Sequence, residues 1–121
     1  MRLKDWIEAL EGLPKGAVVV FDTGENVGPL ISWRGIYAQL TLPTAREPWT
    51  VKELLKYARG AVGSVYTGYK GGDYVMDEST PVWADDYGRC TYRVPTGVAD
   101  KAGKVVVATE FILVNRAREE M

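Results

Sequence analysis

The chain has no histidine and a single cysteine, Cys90, among its 121 residues. Lacking histidine removes the commonest general base and the commonest zinc ligand. One thiol makes neither an intramolecular disulfide nor a cysteine-rich metal site, and it fits a reducing compartment. Nothing around Cys90 marks it as activated. No GxxxxGK[ST] or GxGxxG loop occurs, so the standard phosphate loops are missing. The longest apolar runs, Ala17–Phe21 and Val105–Ala108, are far too short to span a bilayer. Met1–Trp6 reads as the start of an amphipathic helix rather than a targeting segment, and a cytoplasmic protein is expected. Fifteen basic against sixteen acidic residues leave a net charge of −1. No basic stripe of the kind that generic DNA or RNA binding needs stands out. A small anionic ligand remains allowed, because it needs only a few well-placed cations.

What is present describes one folded domain over residues 1–121. At 46% hydrophobic residues a real core is expected. Leu3, Trp6, Ile7, Leu10 and Leu13 recur at helical spacing, predicting a helix over about residues 2–12 that Gly12 and Pro14 end. Ala17–Phe21 has strand length. Val27–Trp33 reads as a second strand, interrupted at Gly28-Pro29 by an edge or a bulge, and Ile36–Leu42 as a third. Pro43–Trp49 is a proline-punctuated connection. Thr50-Val-Lys-Glu53 fits a capping box opening a second helix, whose buried face is Leu54, Leu55, Ala58, Ala61 and Val62 and whose stop is Gly63. Beyond it, short alternating stretches at 64–68, 73–76, 81–84, 90–95 and 104–114 predict strands, with turns at Lys70-Gly71-Gly72 and Asp100–Gly103. The charged tail 115–121 frays or finishes a helix. The fold class expected is a compact α+β domain, two helices packed on a mainly antiparallel twisted sheet.

Two stretches concentrate groups suited to ligand contact. In Ser32-Trp33-Arg34-Gly35-Ile36-Tyr37 an arginine sits between rings and beside a glycine, the parts for gripping a phosphate while a base stacks alongside. The plain alternative is a surface charge in a turn between sheet residues. From Tyr66 to Tyr87 five aromatic residues alternate with glycines. There Tyr69 or Tyr74 would be a stacking platform, with Lys70 and the Gly71 and Gly72 amides facing an anion; a hairpin with a Gly-Gly turn is the plain alternative. The carboxylates Asp73, Asp77, Glu78, Asp85 and Asp86 would hold a hard cation, hydrogen-bond ribose or do acid/base work. Their spacing matches no established loop, and solvated acidic turns are the ordinary explanation. An anion bound near these acids needs cations from elsewhere, and Arg34, Arg89, Arg93 and Arg116 are the candidates.

Ser32-Trp33-Arg34-Gly35-x-Tyr37, Thr50-Val-x-Glu-Leu-Leu55, Gly68-Tyr-Lys-Gly-Gly-Asp-Tyr74 and Thr80-Pro-Val-Trp83 together resemble the Thoeris anti-defence sponge family of small phage proteins. The resemblance covers roughly residues 26–88. It implies a non-enzymatic, homo-oligomeric protein, without cofactor or metal, in the cytoplasm of an infected bacterial host. Such a protein sequesters a nucleotide immune signal, a cyclic ADP-ribose isomer or a cyclic oligonucleotide, and so blocks anti-phage defence. By motif position Arg34 would grip phosphate and Tyr74 would stack on the base; Asp86 stands where a neutral amide is expected. The ligand-binding residues taken together are Trp33, Arg34, Tyr37, Tyr69, Lys70, Gly71, Gly72, Tyr74, Asp86, Arg93 and Arg116, the last two chosen on charge alone. Two other classes stay open. One is a carboxylate-dependent enzyme acting on a nucleotide or sugar through Asp73, Asp77, Asp85 or Asp86. The other is a module that docks its aromatic surface on a host protein as an inhibitor.

Overall fold

Helix α1 (Leu3–Glu11) forms where the apolar spacing predicts it, and Leu3, Trp6 and Leu10 are fully buried. The structure is a computed structural model that describes residues 1–32, 39–67, 73–84 and 91–113. The first turn of α1 is tied down: the Arg2 amide donates to the Asp5 carboxylate at 2.9 Å, and the Leu3 and Lys4 amides donate to the carbonyls of Thr80 and Glu78. At its other end the Lys15 ammonium donates to the carbonyls of Leu10, Glu11 and Leu13 at 3.0, 2.7 and 3.3 Å. A cation there satisfies orphan carbonyls and complements the helix dipole.

Helix α2 (Val51–Ala61) opens with the expected capping box. The Glu53 amide donates to the Thr50 hydroxyl at 3.3 Å and the Thr50 amide to the Glu53 carboxylate at 3.1 Å. Val51, Leu54, Leu55, Ala58 and Ala61 are buried, whereas Val62, expected on that face, lies past the helix and is 40% exposed. Gly63 follows with φ +81°, a conformation that only glycine takes cheaply.

The strands are β1 (Val18–Phe21), β2 (Asn26–Val27), β3 (Ile31–Ser32), β4 (Leu40–Leu42), β5 (Thr44–Ala45), β6 (Val65–Thr67), β7 (Asp73–Val75), β8 (Val82–Ala84), β9 (Thr91–Lys101) and β10 (Lys104–Leu113). Eight of them make one sheet in the order β3-β4-β8-β9-β10-β1-β2-β5, and β6 with β7 make a separate antiparallel pair. The domain is α+β, as expected, but the sheet is mixed. β1 runs parallel to β10 and β4 parallel to β8, while the remaining neighbours are antiparallel. Both parallel pairings join strands far apart in sequence, which local alternation does not reveal.

Chain length shows that this sheet is curled. A flat sheet of eight strands would be about 34 Å wide at roughly 4.8 Å per strand. Yet only residues 28–30 separate β2 from β3, and only Pro43 separates β4 from β5, although each pair stands near opposite ends of the strand order. Four residue steps reach at most about 14 Å. The two ends of the sheet therefore close toward each other at a corner where Gly28 meets Pro43, the Gly28 amide donating to the Pro43 carbonyl at 2.8 Å. This replaces the expected interrupted strand over 27–33, and it places a two-residue strand inside the expected 43–49 connection. A Cβ on Gly28 would stand 3.2 Å from the Pro43 ring and 3.3 Å from the Ala45 Cβ. Gly28→Ala is accordingly expected to destabilise by about 1–2 kcal/mol through overpacking, seen as a lower denaturant midpoint at unchanged slope.

β9 runs longer than the predicted 90–95. It passes through Pro95 because a bulge absorbs the missing amide: Pro95 pairs with Thr109 and Gly97 with Ala108, leaving Thr96 as the extra residue. Ala102 and Gly103, both at positive φ, turn β9 into β10. The core gathers both helices and the main sheet around Trp6, Phe21, Leu40, Leu42, Leu54 and Val107. Among the described residues no helix is long and apolar enough to cross a membrane.

Candidate anion-binding site

Nine of the eleven site residues expected from sequence (Trp33, Arg34, Tyr37, Tyr69, Lys70, Gly71, Gly72, Asp86 and Arg116) lie outside the described residues. The flanks of their segments are described. Residues 33–38 depart from the end of the sheet where Ser32 pairs with Leu40. Residues 85–90 depart from the other end of the parallel pair β4/β8, after Ala84, and the chain beyond Leu113 departs beside Thr91 at that same end. Tyr74 stands opposite Tyr66 in the β6/β7 pair, whose connection 68–72 is outside the described residues. Hydrogen bonds of Gly63 and Met76 close the base of that hairpin at 2.7 and 2.9 Å.

Arg93 is described fully, and it is the most buried charge among the described residues, with a side-chain exposure of 0%. Its Nε donates to the Thr109 hydroxyl at 3.1 Å, and one terminal nitrogen donates to the Thr23 hydroxyl at 2.7 Å and to Asp22 at 3.4 Å. The other terminal nitrogen is 3.8 Å from Glu25. The guanidinium carbon also lies 4.6 Å from the centre of the Phe21 ring and 5.7 Å from that of Phe111. The hydrogen-bonded group thus fastens the β1–β2 turn to β9 and β10, and an incoming anion would have to displace two carboxylates. Partial burial acts to raise the pKa of Asp22. It is outweighed by the Thr109 amide and hydroxyl and by the Arg93 charge, which leave the carboxyl below its ordinary value of 3.8.

Asp77, one of the candidate catalytic acids, caps a turn. Its carboxylate accepts from the Ser79 amide at 2.8 Å and the Ser79 hydroxyl at 2.7 Å. Those bonds hold its pKa below 3.8. The side chain of Asp73, and Asp85 and Asp86 altogether, fall outside what is described.

One described surface that collects positive charge is on α2. Lys52, Lys56 and Arg59 recur at i, i+4 and i+7, so they line one helix face over about 10 Å at 1.5 Å per residue. Opposite them stands Lys15, placed by its grip on the end of α1. Together with Leu55 and Glu53 these residues line a groove of about 880 Å³. Arg59 is braced by Glu11 at 2.9 Å, and Glu53 is occupied by its capping bonds. Lys52 and Lys56 have no side-chain partner among the described residues. The first amides of α2 do not contribute: Val51 and Lys52 donate to the carbonyls of Ala17 and Lys15. Any anion affinity here therefore comes from side chains, and Lys52 and Lys56 supply the heads that stay in water while their stems form the walls.

A smaller cavity of about 310 Å³ adjoins it, lined by Leu30, Lys56, Tyr57, Gly60, Ala61 and Ser64. Lys56 belongs to both. The Tyr57 ring is half exposed and packs edge-on against Trp49, centroids 5.7 Å apart at 82°. Sequence reading missed this face because charges opposite an apolar helical stripe are ordinarily just solvated. The available signal was the i, i+4, i+7 spacing of three cations, a short basic stripe in a chain that is otherwise close to neutral.

No protein-family model, no curated protein and no solved structure matches this chain.

Proposed function

We propose that the protein is a binding protein that sequesters a small phosphorylated ligand, a cyclic nucleotide signal in the reading that the sequence resemblance suggests. The observation that carries this is the 880 Å³ groove rimmed by Lys15, Lys52, Lys56 and Arg59 in a chain of net charge −1. Its volume falls in the usual range for sites that take a whole small molecule, roughly 300–1,000 Å³. Holding such a ligand requires no proton transfer, so a chain without histidine is not handicapped in that role. Blocking a host defence signal is the biological role this reading implies, in the cytoplasm of an infected bacterium and as a homo-oligomer.

The test is calorimetry with cyclic ADP-ribose isomers and cyclic oligonucleotides, followed by mass spectrometry of what heat denaturation releases. Binding with recovery of the intact ligand supports sequestration. Recovery of a cleaved product would move the protein to the carboxylate-dependent enzymes, and absence of binding to every anion would leave the protein-docking module as the better reading.

A further inference from the structure

Charge alone does not make the α2 groove a tight site. Exposed ion pairs contribute at most about 1 kcal/mol each, and four of them fall well short of the roughly −8 kcal/mol of a micromolar complex. A ligand held there needs a desolvated contact as well, and the adjoining cavity offers one. Resting on the function proposed above, we propose that groove and cavity form one bipartite site for a phosphorylated ring compound. The phosphates lie along Lys52, Lys56 and Arg59, the ring lies beside Tyr57, and Gly60 keeps the ring's place open.

Gly60 is the independent observation. It is an exposed residue within α2, where glycine is a poor helix former. Its φ is not positive, and a Cβ built on it would meet nothing within 4 Å. Neither backbone geometry nor packing asks for glycine there. What a side chain at 60 would do is enter the cavity between Lys56 and Ser64. The Tyr57 ring is already held by Trp49, so a stacked ligand need not immobilise it. Lys56 stands on the ridge between the two hollows, where one ammonium reaches a phosphate that carries a ring on its far side. A ligand with two or more phosphates joined to a planar ring, as in a nucleoside diphosphate, has this shape and charge; inorganic diphosphate has only the charge.

Calorimetric titration of the whole chain with inorganic pyrophosphate and with ADP separates the two parts. The intact protein is expected to bind ADP about fivefold or more tighter than pyrophosphate, the gain typical of one stacked base. Gly60→Leu is expected to remove that advantage while leaving pyrophosphate affinity unchanged, which also shows that the variant is folded. Gly60→Ala, with better helix propensity, is expected to melt no lower than the parent and to lose part of the advantage. Lys56→Ala should weaken both probes. Unchanged ADP affinity in Gly60→Leu would overturn the bipartite site while leaving the anion groove standing. If neither probe binds the intact protein, the groove is not an anion seat and the bipartite site falls with it, while the proposed function is still decided by the cyclic nucleotides.

Discussion

Arg93→Ala is expected to lower stability by about 3 kcal/mol, through the void left by a fully buried side chain and the loss of its hydrogen bonds. The Arg93 side chain has no exposed surface, and its removal leaves a void against Phe21 and takes a donor from the hydroxyls of Thr23 and Thr109, which keep their own bonds to Glu25 and Asp22. Arg93→Lys should rescue little, because one ammonium cannot reproduce contacts made from three guanidinium nitrogens. Chemical denaturation measures both. The same network implies a pH signature. The folded pKa of Asp22 lies below its ordinary value of 3.8, so its contribution to stability is complete above that value. It is lost progressively as pH falls from about there through the depressed folded pKa. Asp22→Asn should flatten that acid limb of the stability curve. An Arg93→Ala protein as stable as its parent would show that the β1–β2 turn is held by something else.

The second large effect concerns binding. Lys52→Glu combined with Lys56→Glu is expected to weaken a diphosphate ligand by about 30-fold or more, since two exposed contacts at up to about 1 kcal/mol each are lost and replaced by repulsion. Melting should hardly move. Neither side chain has a partner among the described residues, and an acid at position 52 sits in the first turn of α2, where the helix dipole favours it. Affinity of the parent should also fall as salt rises, and that slope should shrink in the double variant. A double variant that binds like the parent would remove the groove as the anion's seat.

How much of this was readable beforehand differs between levels. Both helices were legible because each carries its own punctuation: Gly12 and Pro14 after α1, and Thr50 with Glu53 before α2. The long hairpin was legible from its turn, although Pro95 hid half of β9 until the bulge at Thr96 explained how a proline fits. The sheet's closure was not legible. β2, β3 and β5 are two residues each, too short to show alternation, and Gly28-Pro29 signals a break without saying whether the chain bulges or turns a corner. Only the contact of Gly28 with Pro43 decides it. Arg93 illustrates the limit for sites. Charge alone nominated it as a phosphate grip, and its burial depends on strands that meet across some seventy residues of sequence. The α2 groove shows the converse: Lys52, Lys56 and Arg59 recur about once per helical turn in sequence, but the concavity depends on the end of α1 bringing Lys15 alongside.

The seat of the ligand can be mapped directly by following backbone amide signals in nuclear magnetic resonance spectra as ADP is added to the intact protein. Shifts centred on Lys52, Lys56, Arg59 and Gly60, with Lys15 alongside, are the result expected. Shifts that leave α2 untouched and cluster elsewhere, or none at all at millimolar ADP, would contradict the placement of the site.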